Sequence, residues 1–502
     1  MQRLTSTLLP VLLLIMLLCS SHTHVVTDAG TSAKKRYNVL FILVDDLRPD
    51  LGCYGNTIIR TPHIDGLALQ GTVFKNQFVT VPTCGASRMS LLTGMRPRTM
   101  AGLSNEVFES GLLNKLKGKP ESFVEHFRRN GYYTLGIGKV SHSPDGYIYK
   151  YLEPKGKSRE LPNSWNEMLF NPGKWGTGWN AFFGYADGTN RNSLKGDVKP
   201  YEHANVPDDS YPDGLTANLA VQKLNELSGK NQPFFLGIGF FKPHLPFNAP
   251  KKYWDLYNED DITLTPSSNI PLNMNKAGLH ESGEFNGYKR GDEKASLDKP
   301  VSDDYARKLR RSYYSAISYT DAQVGKVLAE LKRLDLDKNT IIVLWGDHGW
   351  HLGDDRVWGK HTITEWAVRS PLIVKVPGML TGKSSDKIIS SIDIYPSLMD
   401  LCGLKTHKTD GKSFMPLLKK DPNSVKWSNA AYSYYRNGIS VRTDRYRLSK
   451  YFRKEQPVTE LYDHLTDPYE KVNIAAENAV VVKRLNRIWE KGNTGLFNKA
   501  GE

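Results

Sequence analysis

The sequence predicts an α/β fold: a large, mostly parallel sheet flanked by helices, with a smaller antiparallel sheet and a helix after it. Three observations carry this. Four near-continuous apolar runs, Val39 to Val44, Tyr132 to Ile137, Phe234 to Phe241 and Ile341 to Trp345, are short enough for strands. Runs without polar alternation suit strands covered on both faces. Segments with helical spacing lie between them, which implies parallel pairing. After about residue 420 the character changes to short aromatic and β-branched runs.

The chain has 502 residues, a formal net charge of +14 and 11% aromatic residues. That length can bury a large core and accommodates more than one domain. The basic balance points to an acidic partner. The alternatives are a lysine-rich solvated surface or, as acidic partner, nucleic acid, a membrane or a polyanionic glycan. No zinc-finger spacing or other nucleic-acid motif is present, so nucleic acid is not expected, and a sulfated or carboxylated glycan is preferred, a choice that charge alone does not decide.

Taken in order, residues 1–21 read as an export signal: Arg3, then an apolar run from Leu8 to Leu18, then Ser20 and Ser21. The run is too short for a comfortable span, so no transmembrane segment is expected after cleavage. Cys19 is a weak candidate for lipidation. The expected location is periplasmic or secreted; the chain lacks any Asn-x-Ser/Thr sequon, which favours a bacterial source. Past the signal only Cys53, Cys84 and Cys402 remain. An odd number cannot all pair.

Each apolar run ends in chemistry. Val44 leads to Asp45 and Asp46, Ile137 to Lys139 and His142, Phe241 to Lys242 and His244, and Trp345 to Asp347 and His348. Ligands bind at the carboxyl ends of strands in such sheets, so these groups are expected along one edge. Helices are predicted over Ser122 to Asn130, Thr216 to Leu227, Tyr305 to Leu334, Ile394 to Leu401 and Val480 to Trp489. The smaller sheet is predicted from Ala430 to Tyr435, Ile439 to Arg442 and Tyr446 to Tyr451. The expected division is a catalytic domain over 36–420 and an α+β subdomain over 421–502. Two long segments, Ser143 to Pro212 and Asn269 to Pro300, read as insertions. Long loops in compact domains are usually functional or disordered. Trp165, Trp175 and Trp179 in the first would either form a sugar platform or pin the loop down.

Asp45, Asp46 and Asp347 make a hard-cation site plausible, with calcium or magnesium preferred by oxygen ligands. His348 is the less usual member, because imidazole is a poor calcium ligand. Taken singly, His142 or His244 would more often be structural than catalytic. His63, His126 and His280 are assigned no role.

Cys84-Gly85-Ala86-Ser87-Arg88, followed by Leu92-Thr93-Gly94, resembles the maturation signal of type I sulfatases. Ala86 stands where that family more often has proline. Asp45-Asp46-Leu47-Arg48-Pro49, Gly138-Lys139-Val140, Lys242-Pro243-His244-Leu245-Pro246-Phe247, Asp347-His348-Gly349-Trp350 and Trp358-Gly359-Lys360 follow in the family's order and are most similar to its iduronate-2-sulfatase subgroup. The resemblance covers roughly residues 38 to 475, including Glu460-Leu461-Tyr462-Asp463 and Glu470; the segment from Ser143 to Pro212 has no match.

The resemblance implies an alkaline-phosphatase-like sulfatase fold and hydrolysis of sulfate esters. It implies that a formylglycine-generating enzyme converts Cys84 to formylglycine, which serves as nucleophile and metal ligand. Asp45, Asp46, Asp347 and His348 would hold Ca2+ with it. Arg88 would stabilise the aldehyde hydrate, Lys139 and Lys360 bind sulfate oxygens, His142 orient the hydrate and His244 protonate the leaving oxygen. The substrate implied is a sulfated uronate-containing glycan, with an algal polysaccharide such as ulvan as the alternative. For the sugar itself, Arg48 is expected to clasp a uronate and Trp358 to pack on the ring. The alternative for Arg48 is a pairing with Asp50 or another acid. A phosphatase or phosphodiesterase on the same fold and a non-catalytic glycan-binding protein are the competing classes.

Overall fold

The computed structural model describes residues 36–109 and 121–497; the export signal and Cys19 lie outside the described residues. The strand β1 (Asn38–Val44) is central to a sheet of eight. It is joined by β2 (Thr72–Phe78), β3 (Tyr133–Gly138), β4 (Glu167–Leu169), β5 (Phe234–Phe240), β6 (Thr340–Gly346), β7 (Leu372–Lys375) and β8 (Lys383–Ser390), in the order β8-β2-β7-β6-β1-β5-β3-β4. Only β7 runs against the rest.

Alternate residues of β1 explain its unbroken apolar run. Leu40, Ile42 and Val44 pack into one core layer, while Val39, Phe41 and Leu43 pack into another. Successive strand side chains point to opposite faces, so covering both faces requires apolar residues at every position. On the first face lie α1 (Pro62–Leu69), α4 (Pro212–Ser228) and α5 (Asp303–Arg333). On the second lie α2 (Cys84–Thr93), α3 (Phe123–Arg129) and α6 (Ile394–Cys402). Of the apolar residues at helical spacing in α5, Leu309, Tyr313, Ala316, Ile317, Val324, Val327 and Leu331 are buried, and Leu328 is half-buried.

The C-terminal part is an antiparallel meander, β9 (Ala431–Tyr435), β10 (Gly438–Arg442), β11 (Tyr446–Tyr451) and β12 (Thr459–Asp463), with α7 (Ala479–Trp489) against it. It reaches the large sheet through backbone: Tyr434 N donates to Thr80 O at 2.9 Å, and Ser433 Oγ to Val79 O at 2.7 Å. Val81 and Ala86 share its apolar cluster, so the meander braces the segment that enters α2.

The segment from Ser143 to Pro212 is ordered structure. It contributes edge strand β4, and Trp165, Trp175 and Trp179 are all buried. Trp165 and Trp175 therefore pin the segment, while Trp179, buried as well, also lines a cavity beside His142. Cys53, Cys84 and Cys402 are all free thiols. No helix among the described residues is long and apolar enough to cross a membrane.

Candidate active site

Strands β6, β1, β5 and β3 are neighbours, and their register aligns their ends: Val44 pairs with Phe240 and Gly346, and Gly138 with Gly239. The residues that follow therefore meet at one edge. Asp45, Asp46, Lys139, His244, Asp347 and His348 are all buried there. Cys84 joins them as the first residue of α2, where free backbone N–H groups and the helix dipole favour negative charge. Gly85 is required by packing, because a Cβ there would lie 2.5 Å from the Asn105 carbonyl oxygen.

Asp45, Asp46, Cys84 and His348 each present a ligand atom, and these atoms lie within 4.8 Å of one another. His348 Nδ1 faces the Gly349 carbonyl at 3.0 Å, which leaves Nε2 directed at Cys84 Sγ, 3.3 Å away. Asp347 stands beside them: its carboxylate accepts Arg88 Nε and the Asp46 backbone N, each at 3.0 Å, and is ion-paired with Arg88 Nη2 at 2.9 Å. Burial raises Asp46 well above the usual carboxylate range, against the pull of Lys360 and His348. Asp45 Oδ1 is buried without a hydrogen-bond partner. Two carboxylates, one short of partners and one that burial drives toward protonation, with an imidazole nitrogen and Cys84, are a donor set that fits a divalent cation.

Cations surround this acidic centre. Lys139 Nζ donates to Asp45 Oδ2, and Arg88 Nη1 to the Lys139 carbonyl. Lys360 Nζ lies 2.9 Å from Asp46 Oδ1. Burial raises Asp45, yet Lys139, His244 and Arg88 together hold it well below the usual range. Burial and the Asp45 charge push the Cys84 thiol up to about 12. An unaltered Cys84 is thus a neutral thiol at pH 7 and a poor nucleophile.

His142 enters from the loop after β3. Its backbone N donates to Glu160 at 3.0 Å, while its Nδ1 is buried without a partner. His244 faces acceptors with both ring nitrogens: Nδ1 is 2.6 Å from the Leu245 carbonyl and Nε2 is 3.0 Å from Glu284 Oε1. Only the protonated ring satisfies both. Burial and Lys360 oppose that proton, pulling the pKa down to about 4, and Glu284 works against them.

Two predicted sugar contacts lie elsewhere. Arg48 donates to Asp354 at 2.7 Å and to the Trp350 carbonyl at 3.1 Å, and pairs with Asp50 at 3.1 Å. This is the acid pairing its sequence left as the alternative. Trp358 is 2% exposed and stacks on Phe285 at 5.7 Å, so its ring has no open face for a sugar. Conversely, Glu284 and His280 were missed. His280 Nε2 holds the Lys360 carbonyl at 2.5 Å. Both come from the Asn269 to Pro300 segment, whose polar composition resembles any surface loop.

The sequence profile of the sulfatase family matches residues 37–404, and that of the N-sulphoglucosamine sulphohydrolase C-terminal region matches residues 346–491. Iduronate 2-sulfatase of Mus musculus is 32% identical over 405 residues, covering 75% of this chain and 70% of that protein. An ulvan-active sulfatase of Formosa agariphila is 24% identical, covering 87% of this chain and 76% of that protein. A solved structure in complex with its substrate D-glucosamine-2-N,6-O-disulfate superposes with a TM-score of 0.67 at 20% identity, covering 91% of this chain and 98% of that one. With the fold and the buried acid–lysine–cysteine cluster described above, these place the chain in the sulfatase family. It is a sulfuric ester hydrolase on an alkaline-phosphatase-like fold, and its similarity is to the iduronate 2-sulfatases.

Proposed function

We propose that this protein is an exported, formylglycine- and calcium-dependent sulfatase acting on a sulfated, uronate-containing glycan. The observation that carries the proposal is the convergence of Asp45, Asp46, Cys84 and His348 with Lys139, Lys360 and Arg88 at one buried edge. A calcium ion held by Asp45, Asp46, His348 and residue 84, with Asp347 alongside, would offset negative charge on the bound sulfate. An aldehyde formed from Cys84 by a formylglycine-generating enzyme would, as its hydrate, supply an oxygen nucleophile with a built-in route for releasing sulfate.

The remaining roles belong to side chains. A sulfate ester is anionic, so the site must neutralise charge on the transferring group, and Lys139 and Lys360 do this as fixed donors. Arg88 fixes Asp347 and the Lys139 backbone, keeping the lysine and the carboxylates in register. His142, whose buried Nδ1 has no partner, orients the nucleophile. His244 holds a proton at Nε2 and delivers it to the departing sugar oxygen, a poor leaving group without it.

A saccharide substrate is supported by a cavity of about 460 Å³ adjoining His142, lined by Tyr147, Tyr149, Tyr151 and Trp179 among others. Amphipathic aromatic walls suit sugar rings. Iduronate 2-sulfate follows from the mouse relative and ulvan from the bacterial one. The two are separated by measuring sulfate release from a heparin-derived disaccharide ending in iduronate 2-sulfate and from an ulvan oligosaccharide. The protein is co-expressed with a formylglycine-generating enzyme, with Cys84→Ala as control. Release from the first alone is expected. Release from ulvan alone replaces the substrate, and release from neither, with formylglycine confirmed by mass at position 84, rejects both.

A further inference from the structure

Glu284 is the one carboxylate of the catalytic cluster that comes from outside the strand ends. It lies on a single helical turn, Gly283–Asn286, within the segment that the sequence left without a role. Two contacts lock this turn to the strap carrying Lys360. Ser282 Oγ accepts the Trp358 backbone N at 2.9 Å, and Phe285 stacks on Trp358. His280 adds a third, through the Lys360 carbonyl, and its Nδ1 accepts the Ser282 backbone N at 3.1 Å. Burying Trp358 thus fixes Glu284 and Lys360 relative to each other.

The carboxylate itself is incompletely used. Oε1 takes His244 Nε2 at 3.0 Å and, at longer range, Lys360 Nζ at 3.5 Å. Oε2 is buried and has no hydrogen-bond donor; Lys360 Nζ lies 3.4 Å from it but makes its closer contact, 2.9 Å, to Asp46. A buried acceptor without a donor is costly unless something supplies one. Glu284 is also the open member of the group: its side chain is 23% exposed, against 2% for Lys360, 4% for His244 and 0% for Asp46. The charge of Glu284 contributes, after burial, to raising the hydroxyl of Tyr151, which lines the cavity beside His142. An unused acceptor therefore stands next to the lysine and histidine assigned to the sulfate and the leaving oxygen.

We propose that Glu284 is a specificity-determining residue that accepts a hydrogen bond from a free hydroxyl on the carbon next to the sulfated carbon. The inference rests on the sulfatase reading of this site. Its chemistry is selective in two directions. A vicinal hydroxyl fills the unused acceptor and gains a charge-assisted hydrogen bond. A vicinal sulfate or carboxylate meets like charge and is disfavoured. The preferred substrate is a monosulfated ring with an unmodified neighbouring hydroxyl.

The test compares 2-hydroxyphenyl sulfate with phenyl sulfate on the matured, full-length protein. Both leaving groups are good, so proton delivery by His244 contributes little to the comparison. The wild-type kcat/KM ratio of the two substrates is divided by the ratio measured for Glu284→Ala, which cancels their difference in leaving ability. A quotient of about tenfold or more is expected, since hydrogen bonds to charged groups are the strong ones. Glu284→Gln keeps the shape and one carbonyl acceptor, so it should fall between the two and show that the effect is not a folding defect. A quotient near one overturns the proposal while leaving the sulfatase reading intact. Sulfate release from neither substrate by wild-type protein with formylglycine confirmed overturns that reading, and this inference with it.

Discussion

At the scale of single residues, the chemistry is set by what each side chain faces. Cys84 lies among carboxylates in a site where a thiolate is disfavoured. On the proposed reading it is the precursor of the formylglycine, so Cys84→Ala is expected to reduce sulfate release to background while the protein stays folded by circular dichroism. His244 is assigned the leaving-group proton, and general acids matter most where the leaving group is poor. His244→Gln should lower kcat about 10²-fold or more on an alkyl sugar sulfate and far less on 4-nitrophenyl sulfate. Equal losses on both would remove the proton-transfer role. Arg48 and Trp358 mark the limit of reading residues from motifs. Their positions in the chain match the motif, yet one is tied up by Asp354 and Asp50 and the other is buried against Phe285. Which neighbour satisfies a guanidinium or covers an indole depends in part on segments distant in sequence, 306 residues away for Asp354.

At the scale of elements, catalytic geometry comes from strand ends held at fixed spacing. Neighbouring parallel strands lie close enough that Gly239 on β5 almost touches the turn after β3: a Cβ at position 239 would fall 2.0 Å from the Lys139 carbonyl oxygen. That carbonyl is also the acceptor for Arg88. Gly239→Ala must therefore push Lys139 and Arg88 together. A loss of about 1–3 kcal/mol in stability is expected from the overpacking, with a larger proportional loss of kcat/KM, measured by denaturant unfolding and sulfate release. The strands and long helices were legible because their periodicities reflect local burial: two covered faces for β1, one stripe for α5. Short pieces were not. The turn carrying Glu284 is four residues long and has no periodicity to detect.

At the scale of the whole molecule, a buried ionic network joins the C-terminal meander to the short helix Glu365–Val368 that precedes β7. Arg447 on β11 pairs with Glu365 and Glu470, Arg442 with Glu365 at 3.2 Å, and His464 with Glu470 at 2.9 Å. Arg447→Ala leaves two buried carboxylates short of a cation, and a loss of about 3–5 kcal/mol is expected in thermal or denaturant unfolding. The network also makes stability depend on pH. Burial raises Glu365 and Glu470, but the arginines and His464 outweigh it and hold both below the usual range. A carboxylate depressed in the folded state stabilises it above the unfolded pKa, about 4.3, and that contribution disappears as pH falls through the folded value. Tm should therefore drop as the solution is acidified below about pH 4.3, and Glu470→Gln should weaken that dependence. A Tm that is flat with pH, or identical slopes in both proteins, would contradict this origin.

The sequence by itself determined the fold class, the four strand ends and the identity of the central chemical groups. Apolar runs covered on both faces report a parallel sheet, and such a sheet must bring the residues following its strands to one edge. The tertiary structure alone decided which groups complete the site. The Asn269 to Pro300 segment contributes Glu284 and His280 because Trp358 and Phe285 pack together, a contact between residues 73 positions apart that no local pattern encodes. The same packing encloses Trp358 and gives it the placing of Glu284 and Lys360. Side-chain partners are set by the lowest free energy of the whole packed molecule, and so appear only when distant segments meet.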